Sequence, residues 1–206
     1  MMAEAVDWKE RWNGRFAGAG YLFGTEPNVF LAANARRIPA GGRVLCVADG
    51  EGRNGVWLAE QGFDVVAMDF SPVALAKSRA LAADRQVSLA VVEADLYGWD
   101  WRADAFDAVV AIFIQFAPPE RRGGLFEGLK RTLKPGGILL LQGYRPEQVA
   151  YATGGPGDPG HLYTRDLLED AFADLSSLDI REYDAAVEEG DGHSGLSALI
   201  DLVGRR

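Results

Sequence analysis

The stretch RVLCVADGEGRNGVWLAEQGFDVVAMDFS, from Arg43 to Ser71, decides the fold of this 206-residue chain. It opens with a short apolar run, 44–48, which is typical of a strand buried on both faces of a sheet. Two glycines within three residues, Gly50 and Gly52, follow the run. They predict a tight turn, because glycine accepts positive φ and allows close backbone approach.

A helix and a second strand are expected after the turn. Residues 53–61 have helical composition, and the apolar run 65–68 ends at Asp69, nineteen residues after Gly50. In a nucleotide-binding βαβ unit, an acid about 20 residues beyond the glycine turn ends the second strand and accepts hydrogen bonds from ribose hydroxyls. The stretch therefore predicts a site for a cofactor that contains a nucleoside.

The turn itself selects among such cofactors. It contains two acids, Asp49 and Glu51, and it does not keep the G-x-G-x-x-G spacing that holds a pyrophosphate. Carboxylates repel a phosphate and favour a ligand that carries a cation. S-adenosylmethionine fits, because it has a sulfonium, an ammonium and ribose hydroxyls but no phosphate. The sequence contains no G-x-x-x-x-G-K-[ST] motif, so a P-loop nucleotidase is unsupported.

Six short motifs are spread along nearly the whole chain, each weak alone but specific in combination. They are YLFGTEPN at 21–28, GEGRN at 50–54, DFS at 69–71, EADL at 93–96, LKPGG at 133–137 and GDGHSG at 190–195. In these motifs the chain resembles the class I S-adenosylmethionine-dependent methyltransferases, and more closely the small bacterial group related to tellurite-resistance and thiopurine methyltransferases. The resemblance implies a seven-stranded sheet, S-adenosylmethionine as cofactor and an enzyme that transfers its methyl group.

Two positions depart from the wider pattern of that family. Cys46 stands in the middle of the first strand, where many members have an acid, and Ala48 replaces their first turn glycine. An acid occurs instead at Asp49. We interpret Asp49 as the partner of the cofactor's ammonium group.

Composition restricts the class of protein. The chain is expected to form one domain, with 1–38 as a helical lid segment and 43–206 as an α/β core. No apolar run approaches the ~20 residues of a membrane span, and the polar, acidic N-terminal sequence is unlike a secretory signal. The single cysteine, Cys46, is expected to be a small buried apolar residue. These features predict a cytoplasmic protein.

Charge restricts the partners. A net charge of −9 argues against a nucleic-acid substrate, because affinity for nucleic acid comes largely from Lys and Arg that neutralise phosphates. The basic pairs at 121–122 and 130–131 are typical of a solvated helix face. We expect a small-molecule acceptor, no nucleic acid, no membrane contact, and a monomer or weak homodimer.

Strands and helices alternate along the chain, which predicts a Rossmann-like, mainly parallel sheet with helices on both faces. Strands are expected over 44–48, 65–69, 87–95, 106–114, 138–142, 180–188 and 196–203. Helices are expected over 4–16, 29–38, 53–61, 72–84, 118–134 and 164–172. The last two strands form an antiparallel hairpin, and 145–163 is a long loop of the kind that is often functional.

Cofactor-binding residues are expected at the carboxyl ends of the strands, where ligands bind in open α/β sheets. Asp69 is assigned the ribose hydroxyls and Asp95 the adenine amine, although a turn-forming role suits either acid. The sulfonium is expected near the carbonyls of Ala48 and Ile112. The full expected set is Tyr21, Asn28, Ala48, Asp49, Gly50, Glu51, Gly52, Asn54, Asp69, Phe70, Ser71, Asp95, Leu96 and Ile112.

The segment 21–28 mixes aromatic residues with glycine and proline. As a lid it would close over the methionine end of the cofactor and exclude water, which favours a direct displacement. Its aromatic residues, Tyr21 and Phe23, are equally consistent with anchoring the segment to the sheet.

Candidate catalytic residues lie late in the chain. His193, Tyr144 and Arg145 are expected to face the acceptor, together with Tyr151. His193 is the stronger of two histidine candidates for accepting a proton, and His161, in the long loop, is the weaker. No cluster has metal-ligand spacing, so no metal is expected.

Two observations bear on the class of acceptor. Arg145 favours an anionic acceptor, or else ties down its own loop through Glu147 or Asp158. The lack of an obvious base favours an acceptor that is already nucleophilic, such as a thiolate or a chalcogen oxyanion.

Other functions stay open at this point. A dinucleotide-dependent oxidoreductase can use the same fold, but the acid-bearing turn weighs against it. A non-catalytic module that senses S-adenosylmethionine or its product would have the same cofactor half. A nucleic-acid or protein methyltransferase is disfavoured by the charge.

Overall fold

Seven strands form one sheet in the computed structural model, which describes residues 7–206. The strands are β1 (Arg43–Val47), β2 (Asp64–Asp69), β3 (Ala90–Glu93), β4 (Phe106–Ile112), β5 (Leu133–Tyr144), β6 (Ser177–Glu189) and β7 (His193–Arg205). Their order across the sheet is β3-β2-β1-β4-β5-β7-β6. The first five strands are parallel, and β7 runs antiparallel to both β5 and β6. The predicted mainly parallel sheet with an antiparallel C-terminal hairpin is confirmed.

Helices connect the strands and precede the sheet. They are α1 (Trp8–Phe16), α2 (Val29–Asn34), α3 (Arg53–Glu60), α4 (Pro72–Asp84), α5 (Pro119–Thr132), α6 (Gln148–Tyr151) and α7 (Arg165–Ala171). Asn28, Ser71 and Thr164 cap α2, α4 and α7, because the side chain of each accepts a hydrogen bond from the backbone three residues on. The predicted start of the first helix at residue 4 lies outside the described residues.

The core consists of two layers, one on each face of the sheet. Alternate residues of a strand point to opposite faces, so Leu45 packs with α5 and α7, whereas Cys46 packs with α2 and α3. Both faces of β1 are therefore covered, which explains its unbroken apolar run. Cys46 is 1% exposed, as expected of a buried apolar residue, and burial raises the pKa of its thiol.

Element boundaries differ from the prediction in both halves of the chain: β3 is shorter than the expected 87–95, and α2 ends at Asn34 and is followed by a 3₁₀ helix, Ala35–Arg37. Residues 135–137 were expected to end a helix, but they lie inside β5 as an irregularity in its register with β4. Gly136 adopts φ of 78° there, so the strand bends and continues. β6 and β7 are also longer than predicted, because cross-strand pairing continues as far as Glu189 and His193.

The stretch 145–163 was expected to be a loop without secondary structure. It contains α6 and a short 3₁₀ helix, Pro159–His161. Gln148, which is fully buried, fastens it: its side-chain oxygen accepts from Ala198 N at 2.8 Å and its nitrogen donates to Thr153 Oγ1 at 2.9 Å. The segment is thus held against β7.

Among residues 7–206, no helix is both long enough and apolar enough to cross a membrane.

Candidate functional site

A cavity of about 380 Å³ opens at the carboxyl ends of the parallel strands. One part of its surroundings, the turn wall, consists of 48–54, 69–71 and 95–96 at the ends of β1, β2 and β3. A second part, the lid wall, consists of 21–28 and 189–193 and reaches the cavity through Phe23 and His193. Trp8, Trp12 and Phe16 of α1 and residues between 112 and 121 after β4 complete the lining. The cavity lies where the sequence predicted a ligand site.

Hydrogen bonds to one buried carboxylate fix the turn wall. Asp69 accepts from Gly50 N at 3.0 Å and from Ser71 N at 2.9 Å. Gly52 adopts φ of 92°, and a Cβ at this position would lie 2.8 Å from Ser78 Cβ. The turn therefore requires glycine at 52, and it joins the ends of β1 and β2 through Asp69.

Asp49 lines the cavity at the N-terminal end of α3. Its carboxylate accepts a hydrogen bond from Gly55 N at 3.1 Å. Burial, together with the negative charge of Asp69, raises the pKa of Asp49 to about 7. A cation bound in the cavity would favour the charged form of this carboxyl.

Two residues at the ends of neighbouring strands have left-handed backbone conformations. Ala48, after β1, has φ of 49°, and Phe113, after β4, has φ of 54°. Both line the cavity. The strained conformation at Ala48 gives a physical reason for the glycine that many members of the family have there.

Seven residues of the predicted cofactor set line the cavity besides Asp49 and Asp69. They are Ala48, Gly50, Asn54, Phe70, Asp95, Leu96 and Ile112. Asp95 also accepts a hydrogen bond from Tyr97 N at 2.9 Å, so its turn-forming role coexists with its place at the cavity. Gly52 and Ser71 support the wall from behind the cavity. Gly52 lies against Ser78, and Ser71 caps α4 through its Oγ.

The structure does not bring three other residues of that set into the cavity. Glu51 is buried in an ion pair with Lys77 Nζ at 2.7 Å and accepts from Leu22 N at 2.7 Å. Tyr21 donates to the Lys77 carbonyl at 3.4 Å. Asn28 caps α2 from a buried position. All three fasten the lid segment to the core.

The lid segment and the hairpin tip are in direct contact. Gly192 N donates to the Leu22 carbonyl at 3.0 Å. A Cβ at Gly190 would lie 2.6 Å from both Leu22 O and Gly24 N. Phe23 reaches the cavity, where its ring lies 4.4 Å from the ring of His193. Of the two roles expected for the aromatic residues, Tyr21 has contacts of an anchor and Phe23 those of a lid.

His193 stands at the start of β7 and lines the cavity. Its ring lies 4.5 Å from that of Phe113, and the residue is only 9% exposed. Burial lowers the pKa of His193, and the nearby Arg53 lowers it further, whereas Glu189 raises it. The imidazole is therefore neutral at pH 7 and able to accept a proton.

Tyr144 lies behind the cavity wall. It is 1% exposed and stacks on Phe113 with ring centroids 4.6 Å apart. Burial raises the pKa of its hydroxyl well above the ordinary value. Tyr144 thus packs against Phe113, which lines the cavity, and does not line the cavity itself.

Arg145 and Tyr151 point to the hairpin, away from the cavity. Both bind the carboxylate of Asp184 on β6, with Tyr151 donating to Oδ2 at 2.8 Å. Arg145 also donates to the Leu199 carbonyl at 3.1 Å. The alternative expectation, that Arg145 ties down its loop, fits these contacts, although the main acid is Asp184 and Glu147 lies at 3.6 Å. His161 is likewise outside the cavity, with Nδ1 at 3.1 Å from the Gln115 carbonyl.

Sequence reasoning missed a buried ion pair beside the cavity. Arg53 Nη2 lies 2.6 Å from Glu189 Oε2, and both side chains are 9% exposed. Arg53 lines the cavity, and its Nη1 is buried without a hydrogen-bond partner in the described part of the chain. Arg53 belongs to the GEGRN motif, but its partner lies 136 positions away, a distance over which spacing carries no signal.

Residues 7–206 contain no group of three or more His, Cys, Asp or Glu side chains that could hold a metal ion.

Known proteins resemble this chain in sequence. A family model described as a methyltransferase domain matches residues 44–137. An uncharacterized protein of Mycobacterium tuberculosis is 31% identical over 166 residues, which are 66% of this chain and 60% of the relative. The demethylmenaquinone methyltransferase of Clavibacter sepedonicus is 42% identical over 103 residues, 50% of this chain and 41% of that enzyme. The chain thus spans about 60% or less of the length of these relatives.

Solved structures share the fold. The N-methyltransferase NodS from Bradyrhizobium japonicum, in complex with S-adenosyl-L-homocysteine, gives a TM-score of 0.70 at 14% identity, over 96% of this chain and 97% of that one. TehB from Haemophilus influenzae gives 0.68 at 14% identity, over 96% of this chain and 66% of that one. The matched segment and the shared fold support the recognition made from sequence: residues 44–137 are similar to a methyltransferase domain, and the chain has the fold of the S-adenosylmethionine-dependent methyltransferases.

Proposed function

We propose that this chain binds S-adenosylmethionine in the cavity and transfers its methyl group to a small-molecule acceptor. The observation that carries the proposal is the turn wall, in which Asp69 is buried and oriented by Gly50 N and Ser71 N beside a glycine turn. A carboxylate held in this way presents its remaining lone pairs to ribose hydroxyls without further ordering.

The other cavity residues suit the remaining parts of the cofactor. Asp95, at the rim, would accept from the adenine amine, and Phe70 would supply an apolar wall. Asp49 would accept from the ammonium, and Arg53, whose Nη1 has no partner among the described residues, would donate to the carboxylate. The two opposite charges on the α-carbon of the amino-acid moiety would thus meet complementary groups.

The lid wall suits the acceptor. When bound, S-adenosylmethionine supplies an electrophilic methyl group, whose bonding electron pair returns to sulfur as the acceptor's lone pair takes the carbon. His193, neutral and facing the cavity, takes the proton that a thiol, hydroxyl or amine acceptor loses. Phe23 and Phe113 exclude water around it, which favours alignment for direct displacement.

The class of acceptor belongs to the same proposal. Apart from His193, Arg53 and the rim residue Arg121, no basic side chain lines the cavity within 7–206, and aromatic rings form much of its wall. These features favour a small, soft nucleophile such as a thiol or a chalcogen oxyanion. We also propose that the chain is a single domain that acts in the cytoplasm. We expect a monomer or weak homodimer, and size-exclusion chromatography tests this oligomeric state.

Calorimetric titration with S-adenosylhomocysteine tests the proposal. We expect tight binding to the wild type and a loss of at least about 100-fold in Asp69→Ala, because a buried polar group of the ligand loses its acceptor. Asp166→Ala, an exposed acid on α7, is the matched control and should bind normally. NAD is titrated in parallel.

Two results would overturn the proposal or restrict it. Binding of NAD without S-adenosylhomocysteine would favour the oxidoreductase and contradict our interpretation of the turn. Binding of S-adenosylhomocysteine without methyl transfer to any thiol or oxyanion acceptor would favour a sensing module.

A further inference from the structure

Glu189 occupies an unusual position between the two walls of the cavity. It is the last residue of β6, and its side chain is 9% exposed. One oxygen, Oε2, lies 2.6 Å from Arg53 Nη2, and the other, Oε1, accepts from Asn28 Nδ2 at 2.9 Å. Three separate parts of the chain therefore meet at this carboxylate: the start of α3, the start of α2 and the hairpin.

The carboxylate also faces His193. Glu189 Oε2 lies 3.6 Å from Nδ1 of the imidazole, within the range of an ion pair and just beyond a hydrogen bond. Nδ1 is buried and has no other polar partner among the described residues. Nε2 is not among the buried side-chain atoms that have no partner, and the ring lines the cavity. The two ring nitrogens thus differ, because Nδ1 is the one beside the carboxylate.

We propose that Glu189 is a positioning residue for His193. Held by Arg53 and Asn28, its carboxylate keeps the proton of the neutral imidazole on Nδ1, so that Nε2 presents its lone pair to the acceptor. When Nε2 takes the acceptor's proton, the resulting positive charge faces a carboxylate that is already fixed in place. The arrangement follows the same logic as an acid that orients a catalytic histidine in a hydrolase. This inference rests on the proposed function for its purpose but not for its test.

The charges around His193 support the assignment. Burial raises the pKa of Glu189, but contact with His193 and Arg53 outweighs this and brings it to about 2, so the carboxylate is charged at every working pH. Arg53 on α3 and Arg15 on α1 act in the opposite direction on His193, and Tyr144 on β5 lies 5.8 Å from it, ring to ring. Glu189 is the group that favours the protonated imidazole among those that affect its pKa.

Proton NMR tests the proposal without a cofactor or an acceptor. The chain has only two histidines, so His161→Gln assigns both imidazole signals. In Glu189→Gln we expect His193 to lose about tenfold in proton affinity, because an opposite charge within ~4–6 Å is removed while Arg53 stays. Glu188→Gln, the exposed neighbour, is the matched control and should leave the titration unchanged. His161 serves as an internal reference, and an unchanged His193 midpoint in a folded Glu189→Gln protein would overturn the proposal.

A second measurement keeps the proposal testable if Glu189→Gln does not fold. Nitrogen-15 shifts of the wild-type imidazole above its pKa report which ring nitrogen carries the proton. A proton on Nδ1 supports the assignment, and a proton on Nε2 contradicts it. S-adenosylhomocysteine titration of the same sample tests the proposed function separately, so failure of one leaves the other standing.

Discussion

The turn wall and the lid wall enclose the same cavity but are built differently. In the turn wall, Asp69 binds backbone groups of Gly50 and Ser71, which lie 19 and 2 positions away. In the lid wall, Glu189 binds Asn28 across 161 positions, and it also binds Arg53 of the turn wall across 136 positions. The centre of the turn wall is therefore a property of one βαβ unit, whereas the lid wall exists only when the two ends of the chain have come together.

This difference predicts where a single added methyl group does most damage. Gly52→Ala should lower the free energy of unfolding by about 3 kcal/mol, because it combines a φ of 92° with a clash against the α4 backbone at Ser78. Urea unfolding measures the loss. Gly62→Ala has a similar φ of 86° but nothing within 4 Å, so it should cost only about 1 kcal/mol. Equal losses would show that packing against α4 does not constrain the turn.

A second prediction separates binding from stability within the turn wall. Asp49 has its pKa raised to about 7 in the folded state, from 3.8, so the native protein binds more protons than the unfolded chain between about pH 4 and 7. Stability should fall as pH rises through this window. Asp49→Asn should remove the part of the slope that comes from Asp49, while the raised pKa values of Asp69 and Asp201 keep theirs, and should stabilise the protein at pH 8 by on the order of 2 kcal/mol.

The same variant should bind S-adenosylhomocysteine at least about tenfold more weakly, because the ammonium loses its carboxylate. Urea unfolding at pH 5 and pH 8, with calorimetry at pH 8, measures both effects. A variant that is destabilised at pH 8 but binds normally would mean that Asp49 only caps α3 through Gly55 N.

The lid wall should respond locally. In Gly190→Ala, a Cβ at φ of 67° would lie 2.6 Å from Leu22 O and Gly24 N, so the hairpin tip and the lid must separate. We expect a loss of about 1 kcal/mol in stability but a marked rise in amide exchange over 21–28. Gly157→Ala, with no atom within 4 Å, is the control. Exchange that rises equally across β1 would contradict the expectation that the lid wall can open while the core strands stay closed.

The smallest effect is expected at the second histidine. His161 lies outside the cavity, with Nδ1 beside the Gln115 carbonyl. His161→Gln should therefore keep S-adenosylhomocysteine affinity and methyl transfer within about twofold of wild type. A larger loss would indicate that the segment 145–163 contributes to the acceptor site.

The two walls also differ in how far the sequence predicts them. The strand–turn–helix–strand unit and the mainly parallel sheet with its C-terminal hairpin follow from local patterns, because periodicity and turn chemistry act over a few residues. Asp49 and Asp69 appear at the cavity for the same reason.

Local patterns did not predict which side chains from distant parts of the sequence would pair. The sequence offered Arg145 and Tyr151 as acceptor contacts, but both bind Asp184 on β6, a partner that emerges only when the hairpin pairs with β5. Glu51 was predicted to line the ligand turn. Its charge is instead neutralised by Lys77 behind the wall, where it also accepts a hydrogen bond from Leu22 N. The Arg53–Glu189 pair was not predicted, because the sequence around each residue carries no signal for the other.

The position of Cys46 has a practical use. The thiol is the chain's sole one, and it lies 1% exposed in the central strand β1, covered by helices on both faces. An alkylating reagent reaches the thiol only when the sheet opens. The rate of labelling therefore measures opening of the whole core and does not respond to opening of the lid. Each variant described above can therefore be ranked for global opening in its native sequence, without an added probe.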